Sequence, residues 1–130
     1  MAVNESYLEF VREQLAGVGP IAIKRMFGGA GVFSDGLMFG LIADETLYFK
    51  ADAESEQRFA DEGMGPFTYQ PKSGKAIQMS YWRVPERLYD EPDEMTTWAH
   101  DATGAARRAN AAKSKRATTA NKSKKKKAGA

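Results

Sequence analysis

The sequence predicts an α+β fold, a mainly antiparallel sheet flanked by helices in the order α-β-β-β-β-α-β-β-α. Three observations carry this. A helical apolar pattern opens the chain, and a second one closes its apolar part before residue 111. Between them lie short apolar segments separated by turn residues, which favours antiparallel neighbours over a doubly wound fold. Apolar residues make up 42% of the 130 residues. A domain of ~100 residues buries roughly two-thirds of its unfolded surface, so a core is within reach without staples.

The elements follow in order. Residues 4–17 read as an amphipathic helix, with Tyr7, Phe10, Val11, Leu15 and Val18 at helical spacing and Leu8 beside them. Glu5, Glu9 and Glu13 form a solvated stripe on another face. Asn4 caps the first turn, and Gly17 ends the helix. Ile21–Phe27 and Gly31–Phe33 are strand candidates, followed by a turn at Ser34-Asp35-Gly36. Leu37–Ala43 and Thr46–Lys50 flank Asp44-Glu45 as a hairpin. In the first of these, Leu37, Phe39 and Leu41 alternate with Met38, Gly40 and Ile42, so both faces are largely apolar. A central strand covered on one side, or a dimer face, gives that pattern.

Ala53–Glu62 reads as a short helix stopped by Gly63. Phe67–Gln70 and Ala76–Trp82 form a second hairpin around Pro71 to Gly74. A last helix starts near Asp90–Glu94, with Pro92 and acids suited to its first turn. Its packing stripe is Met95, Trp98, Ala99, Ala102, Ala105, Ala106 and Ala109. Residues 1–111 therefore form one domain. Residues 112–130 lack aromatic and branched aliphatic side chains, so a disordered basic tail is expected there.

Charge divides the chain more sharply than composition does. Residues 1–101 hold nine basic residues and all seventeen acids, a balance of −8; residues 102–130 hold ten basic residues and no acid, a balance of +10. Such asymmetry points to an anionic partner for the basic part. Lys113, Lys115, Arg116, Lys122, Lys124, Lys125, Lys126 and Lys127 are the candidate nucleic-acid contacts. A merely solvating tail is the competing expectation. The acidic part, taken by net charge, is a poor partner for phosphate.

No catalytic constellation emerges. Gly29 and Gly31 would need a glycine at position 34 for a dinucleotide loop, and Ser34 stands there. A phosphate loop around Gly74-Lys75 lacks its first glycine at Tyr69 and its hydroxyl at Ala76. Both glycine groups read instead as turns, bulges or close backbone approaches. His100 is the sole histidine and no cysteine exists, so neither a zinc site nor a cysteine nucleophile nor a disulfide is expected. The carboxylates sit in turns and on helix faces, where raised pKa values are not expected. The strand aromatics Phe67, Tyr69, Tyr81 and Trp82 read first as core or interface, and only second as a base-stacking platform. The N-terminus shows no signal-peptide pattern and no apolar run approaches a membrane span, so a cytoplasmic protein is expected.

One resemblance joins these pieces. Arg25-Met26-Phe27-Gly28-Gly29-Ala30-Gly31-Val32-Phe33, Asp35 to Ile42, Leu47-Tyr48-Phe49-Lys50, Pro66 to Tyr69, Met79 to Pro85 and Trp98 together resemble the N-terminal domain of the TfoX/Sxy family of bacterial competence regulators, over about residues 4–110. The resemblance implies a fold similar to secretion chaperones, a tendency to form homodimers, and a regulatory or interaction role without known catalysis or cofactor. Longer members carry a second, helical domain, where this chain has the basic tail. Arg25, Met26, Phe27, Gly28, Gly29, Phe39, Lys50, Tyr81 and Trp82 match the family motif and are its candidate interaction residues. The expected function is a non-enzymatic, dimeric regulatory domain whose tail contacts DNA or RNA. The alternative is a protein–protein adaptor. A small-molecule site would need Arg25, Lys50 and Tyr81 to meet in one pocket.

Overall fold

The computed structural model describes the backbone of residues 4–26, 28–69, 74–75 and 77–129. The side chains of 77, 78 and 114–129 lie outside that description. The elements are α1 (Glu5–Gln14), β1 (Ala22–Met26), β2 (Gly29–Ser34), β3 (Leu37–Ala43), β4 (Thr46–Lys50), α2 (Glu56–Asp61), β5 (Pro66–Tyr69), β6 (Ile77–Arg83) and α3 (Pro92–Gly129). Short 3-10 turns occupy Ala16–Val18 and Glu86–Asp90. The fold is α+β, and the element order is the expected one.

The six strands form one sheet in the order β1-β2-β3-β4-β6-β5, with every pairing antiparallel. The first four strands make a meander. β6 returns to pair with β4, which leaves β5 on the outer edge. The turns of the meander are tight. Asp35 and Gly36 between β2 and β3, and Asp44 and Glu45 between β3 and β4, all have positive φ. That is the hand of two-residue turn whose twist matches antiparallel strands.

All helices lie on one side of this sheet. Leu8, Val11 and Leu15 from the α1 segment join Phe59 of α2 in one buried cluster. Met95, Trp98, Ala99, Ala102 and Ala106 of α3 belong to the same cluster. The sheet meets them with Ala30, Val32, Phe39, Ile42, Leu47 and Phe49. The rings of Phe39 and Phe49 are 6.3 Å apart, and Phe59 stands edge-on to Trp98 at 5.0 Å. Phe10 departs from expectation: it is 37% exposed and lies against Tyr7 and Tyr89 at the rim, while Leu8 takes the core position.

The face assignment of β3 also differs from simple alternation. Val32 pairs with Gly40 but Phe33 pairs with Met38, so Phe39 is an extra residue opposite no partner. A bulge of this kind resets the alternation along its strand. Leu37, Phe39 and Ile42 consequently reach the helices. Leu41 falls with Met38 on the other side instead of with Phe39.

Ion pairs tie the helices to the body. Arg87 reaches Glu62 at 2.7 Å, Glu91 at 2.7 Å and Glu94 at 2.6 Å. It thus joins the end of α2 to the start of α3. Arg108 donates to Asp52 at 2.7 Å, holding α3 against the segment after β4. α3 extends to Gly129, across the 111/112 boundary where the sequence places the start of a disordered tail. Ala, Lys and Arg are strong helix formers, and no Gly or Pro interrupts residues 105–127. No helix among the described residues is long and apolar enough to cross a membrane.

Candidate interaction surface

Six strands with helices on one side leave the second side of the sheet uncovered by any described helix. Strand register identifies what faces outward there. Lys24 pairs with Gly31, Gly31 with Leu41, Leu41 with Tyr48, Tyr48 with Arg83, and Lys50 with Tyr81. Partners across an antiparallel ladder share a face. Side-chain contacts agree with the register. The Lys24 ammonium lies 5.1 Å from the centre of the Phe33 ring, and the Lys50 ammonium 5.1 Å from that of Tyr81. The Tyr48 and Phe67 rings meet edge-on at 5.2 Å. None of these residues belongs to the cluster under the helices.

Gly31 shapes the middle of this face. A Cβ there would come within 3.0 Å of Met26, Met38 and Phe33 side-chain atoms. Its missing side chain lets those three close over the strand. Gly29 serves a different approach: a Cβ would lie 2.2 Å from the Ile42 carbonyl oxygen of β3. These two glycines of the cluster are therefore close approaches within the sheet, as one of the sequence readings has it. Gly28, with φ of 78°, makes the turn between β1 and β2.

Electrostatics separate the two sides of the domain. None of the seventeen acids lies in a strand. Arg12, Arg25, Arg58, Arg87 and Arg108 all stand in ion pairs with carboxylates of the helices or the segment after β4. Lys24, Lys50 and Arg83 stand in no salt bridge among the described residues. Burial lowers the Lys50 ammonium below the usual lysine value, and the Asp52 charge just after β4 pulls the other way. Asp52 itself is held below the usual carboxylate range, chiefly by the hydrogen bond from Arg108. Burial raises the Tyr81 phenol, whose hydroxyl donates to the Met38 carbonyl at 3.3 Å. The acids thus lie in the helices, turns and connecting segments, with Asp35 of the β2–β3 turn beside Lys24 and Phe33. The sequence reading of the whole domain as repellent to phosphate averages over two unlike surfaces.

The motif residues part company across the sheet. Phe39 is fully buried, and Trp82 lies against Phe59 at 6.2 Å, so both serve the core. Met26, Lys50 and Tyr81 belong to the open face. Arg25 points to the helical side, where it donates to Glu5 at 2.7 Å. Arg25, Lys50 and Tyr81 therefore do not meet in a pocket. Phe27 lies outside the described residues, as do Pro71 to Ser73 of the β5–β6 connection and the side chains of Lys115, Arg116, Lys122 and Lys124 to Lys127. Lys113 is exposed. Phe33, Tyr48 and Lys24 are open-face residues that sequence reasoning did not single out; the Lys24/Phe33 pairing depends on register, which sequence alone does not supply.

His100 opens on a groove of about 280 Å³ between α2 and α3, together with Glu54, Arg58, Asp101 and Arg108. Its arginines are already engaged. Arg58 pairs with Asp101 and lies 4.9 Å over the Trp98 ring, and Arg108 pairs with Asp52 and Glu54. Among the described residues no group of three or more His, Asp or Glu side chains is placed to hold a metal ion.

A single antiparallel sheet, backed by helices on one side and bare on the other among the described residues, with its charged groove internally neutralised, defines a two-layer α+β domain. Residues 13–106 match the TfoX N-terminal domain model, and the chain belongs to that family. It is 28% identical over 100 residues to the DNA transformation protein TfoX1 of Aliivibrio fischeri, covering 77% of this chain and 46% of that protein. It is 31% identical over 78 residues to protein Sxy of Escherichia coli, covering 60% of this chain and 37% of that protein. The chain thus spans less than half the length of these curated relatives.

Proposed function

We propose that this chain is a non-enzymatic, cytoplasmic regulatory domain that contacts DNA or RNA through a basic segment at 112–130. The observation that carries this is the charge division: ten cations and no acid after residue 101, joined to a domain of the TfoX N-terminal family. A relative described as a DNA transformation protein supports a setting in which nucleic acid is at hand. Lys113, Lys115, Arg116, Lys122 and Lys124 to Lys127 neutralise phosphates in this reading, giving affinity without base preference and with steep salt dependence. The segment holds no aromatic or branched aliphatic residue, so positive charge is what it offers a partner.

The test compares the full chain with a variant carrying Lys→Ala at 124, 125, 126 and 127, on duplex DNA across a salt series. Without these four cations the log–log salt slope should flatten by up to ~3.6, from ~0.9 per neutralised phosphate. Equal affinity and slope in the two proteins overturn the tail reading. An adaptor role then takes its place, and the bare sheet face is the observation that favours it.

A further inference from the structure

We propose that the open face of the sheet is a stacking surface for single-stranded nucleic acid, with Phe33, Tyr48 and Phe67 meeting bases and Lys24, Lys50 and Arg83 meeting phosphates. This surface is separate from the basic segment and reads a different property of the ligand. Aromatic rings spread over a sheet offer flat apolar area to unstacked bases, and interleaved cations track the backbone. The rings come from β2, β4 and β5, so they cross the sheet instead of following one strand. Tyr69, in register with Ile77 and 51% exposed, continues the row at the β5 edge. From Lys24 on β1 to Tyr81 on β6 there are four strand spacings, about 19 Å at ~4.8 Å each. That spans several nucleotides of an extended strand.

The depth of the surface agrees. A shallow recess of about 290 Å³ opens beside Lys24 and Phe33, between Pro20, Ala22 and Asp35. A recess with an aromatic wall and an ammonium at its rim suits one flipped-out base with its phosphate. The charge pattern selects the strand over a second copy of this chain. A two-fold interface would set the same patch against itself, bringing Lys24, Lys50 and Arg83 toward their equivalents. No strand carries an acid to answer them, and the Asp35 carboxylate at the recess is outnumbered by these three cations, so the juxtaposition is unfavourable. A duplex hides its base faces within the stack, so the rings would gain nothing from it.

The experiment uses the full chain with a fluorescent oligothymidylate and, in parallel, a duplex of equal length. The variants are Tyr48→Ala, Lys24→Glu and the 124–127 Lys→Ala protein. Tyr48→Ala should weaken oligothymidylate binding ~5- to ~150-fold, the range for removing one stacking ring, with duplex binding unchanged. Lys24→Glu, on an exposed edge-strand position, should weaken it in the same direction and keeps the test decisive if Tyr48→Ala unfolds. The 124–127 variant should lose affinity for both ligands alike. A failure of the tail reading therefore shows in the duplex arm, and a failure of the face in the oligothymidylate arm. Parental oligothymidylate binding by folded Tyr48→Ala and Lys24→Glu proteins overturns the proposal. So does a dimer in sedimentation that falls to monomer on Tyr48→Ala, since the face then belongs to a second copy.

Discussion

The two faces of the sheet are made by the same strands, residue by alternate residue, yet they are chemically unlike. Toward the helices stand Ala30, Val32, Phe39, Ile42, Leu47 and Phe49, almost without exposure and without charge. Away from them stand Lys24, Met26, Phe33, Met38, Leu41, Tyr48, Lys50 and Tyr81. Apart from the small Ala30, the first set is branched aliphatic or phenyl, fixed in shape and matched to helix side chains. The second is rich in Met, Tyr and Lys, side chains that place apolar area beside a polar or flexible end. A sheet buried on both sides would carry the first chemistry twice. A sheet merely wetted on one side would carry polar residues there. The open face is intermediate between these two, and that character is what the proposed stacking surface rests on.

The contrast predicts unequal sensitivity to the same truncation. Phe39→Ala removes a fully buried ring beside Phe49 and should lower the unfolding free energy by ~3–5 kcal/mol. Phe33→Ala removes a ring of similar size from the open face, and the loss should stay near ~1 kcal/mol. Urea titrations of the two variants read this directly. Equal losses would mean that the open face is covered in solution and would break the comparison.

A second difference lies in how the two sides use charge. Arg87 gathers Glu62, Glu91 and Glu94 on the helical side and holds the Glu62 and Glu94 carboxyls below the ordinary glutamate value of 4.5. A depressed folded value contributes stability that is present above 4.5 and is lost as pH falls through the lowered folded value. Acid should therefore weaken the fold below about pH 4.5, and Arg87→Ala should flatten that part of the stability–pH curve. All four groups reach solvent, so the effect should be smaller than the Phe39 loss and should shrink with added salt. Lys24→Ala, in no salt bridge, should leave the acid limb unchanged.

Much of this contrast was legible in the sequence, and the illegible part has a common cause. Helical spacing marks Val11, Leu15, Met95, Trp98, Ala99 and Ala102 because local periodicity and burial coincide on a helix. The apolar character of both sides of β3 is equally visible. Which residues share a side is not, because the bulge at Phe39 depends on pairing with β2. The insertion of β6 between β4 and β5 is likewise long-range. Net charge is limited for a related reason: a sum over residues 1–101 carries no placement, and it does not show that the strands hold no acid. The family motif shows the same limit, since Phe39 and Trp82 lie under the helices while Lys50 and Tyr81 face outward.

The turn between β3 and β4 offers the smallest test, and it concerns the meander that keeps both faces in register. Asp44 and Glu45 have φ of 49° and 53°. Both central residues of this tight turn are left-handed, a conformation that Asp tolerates and that places the Cβ of Glu too close to its own carbonyl. The equivalent turn between β2 and β3 puts Gly36 in the second position, with φ of 78°. Glu45→Gly removes the steric penalty of ~1–2 kcal/mol and returns ~0.5–1 kcal/mol through the added freedom of the unfolded chain. The net gain should be about 0.5 kcal/mol, seen as a higher urea midpoint at unchanged slope. Gly36→Glu should produce the opposite shift, because it places in the first hairpin the strain that the second already carries. A loss on Glu45→Gly would show that the glutamate contributes something at the turn that offsets its backbone.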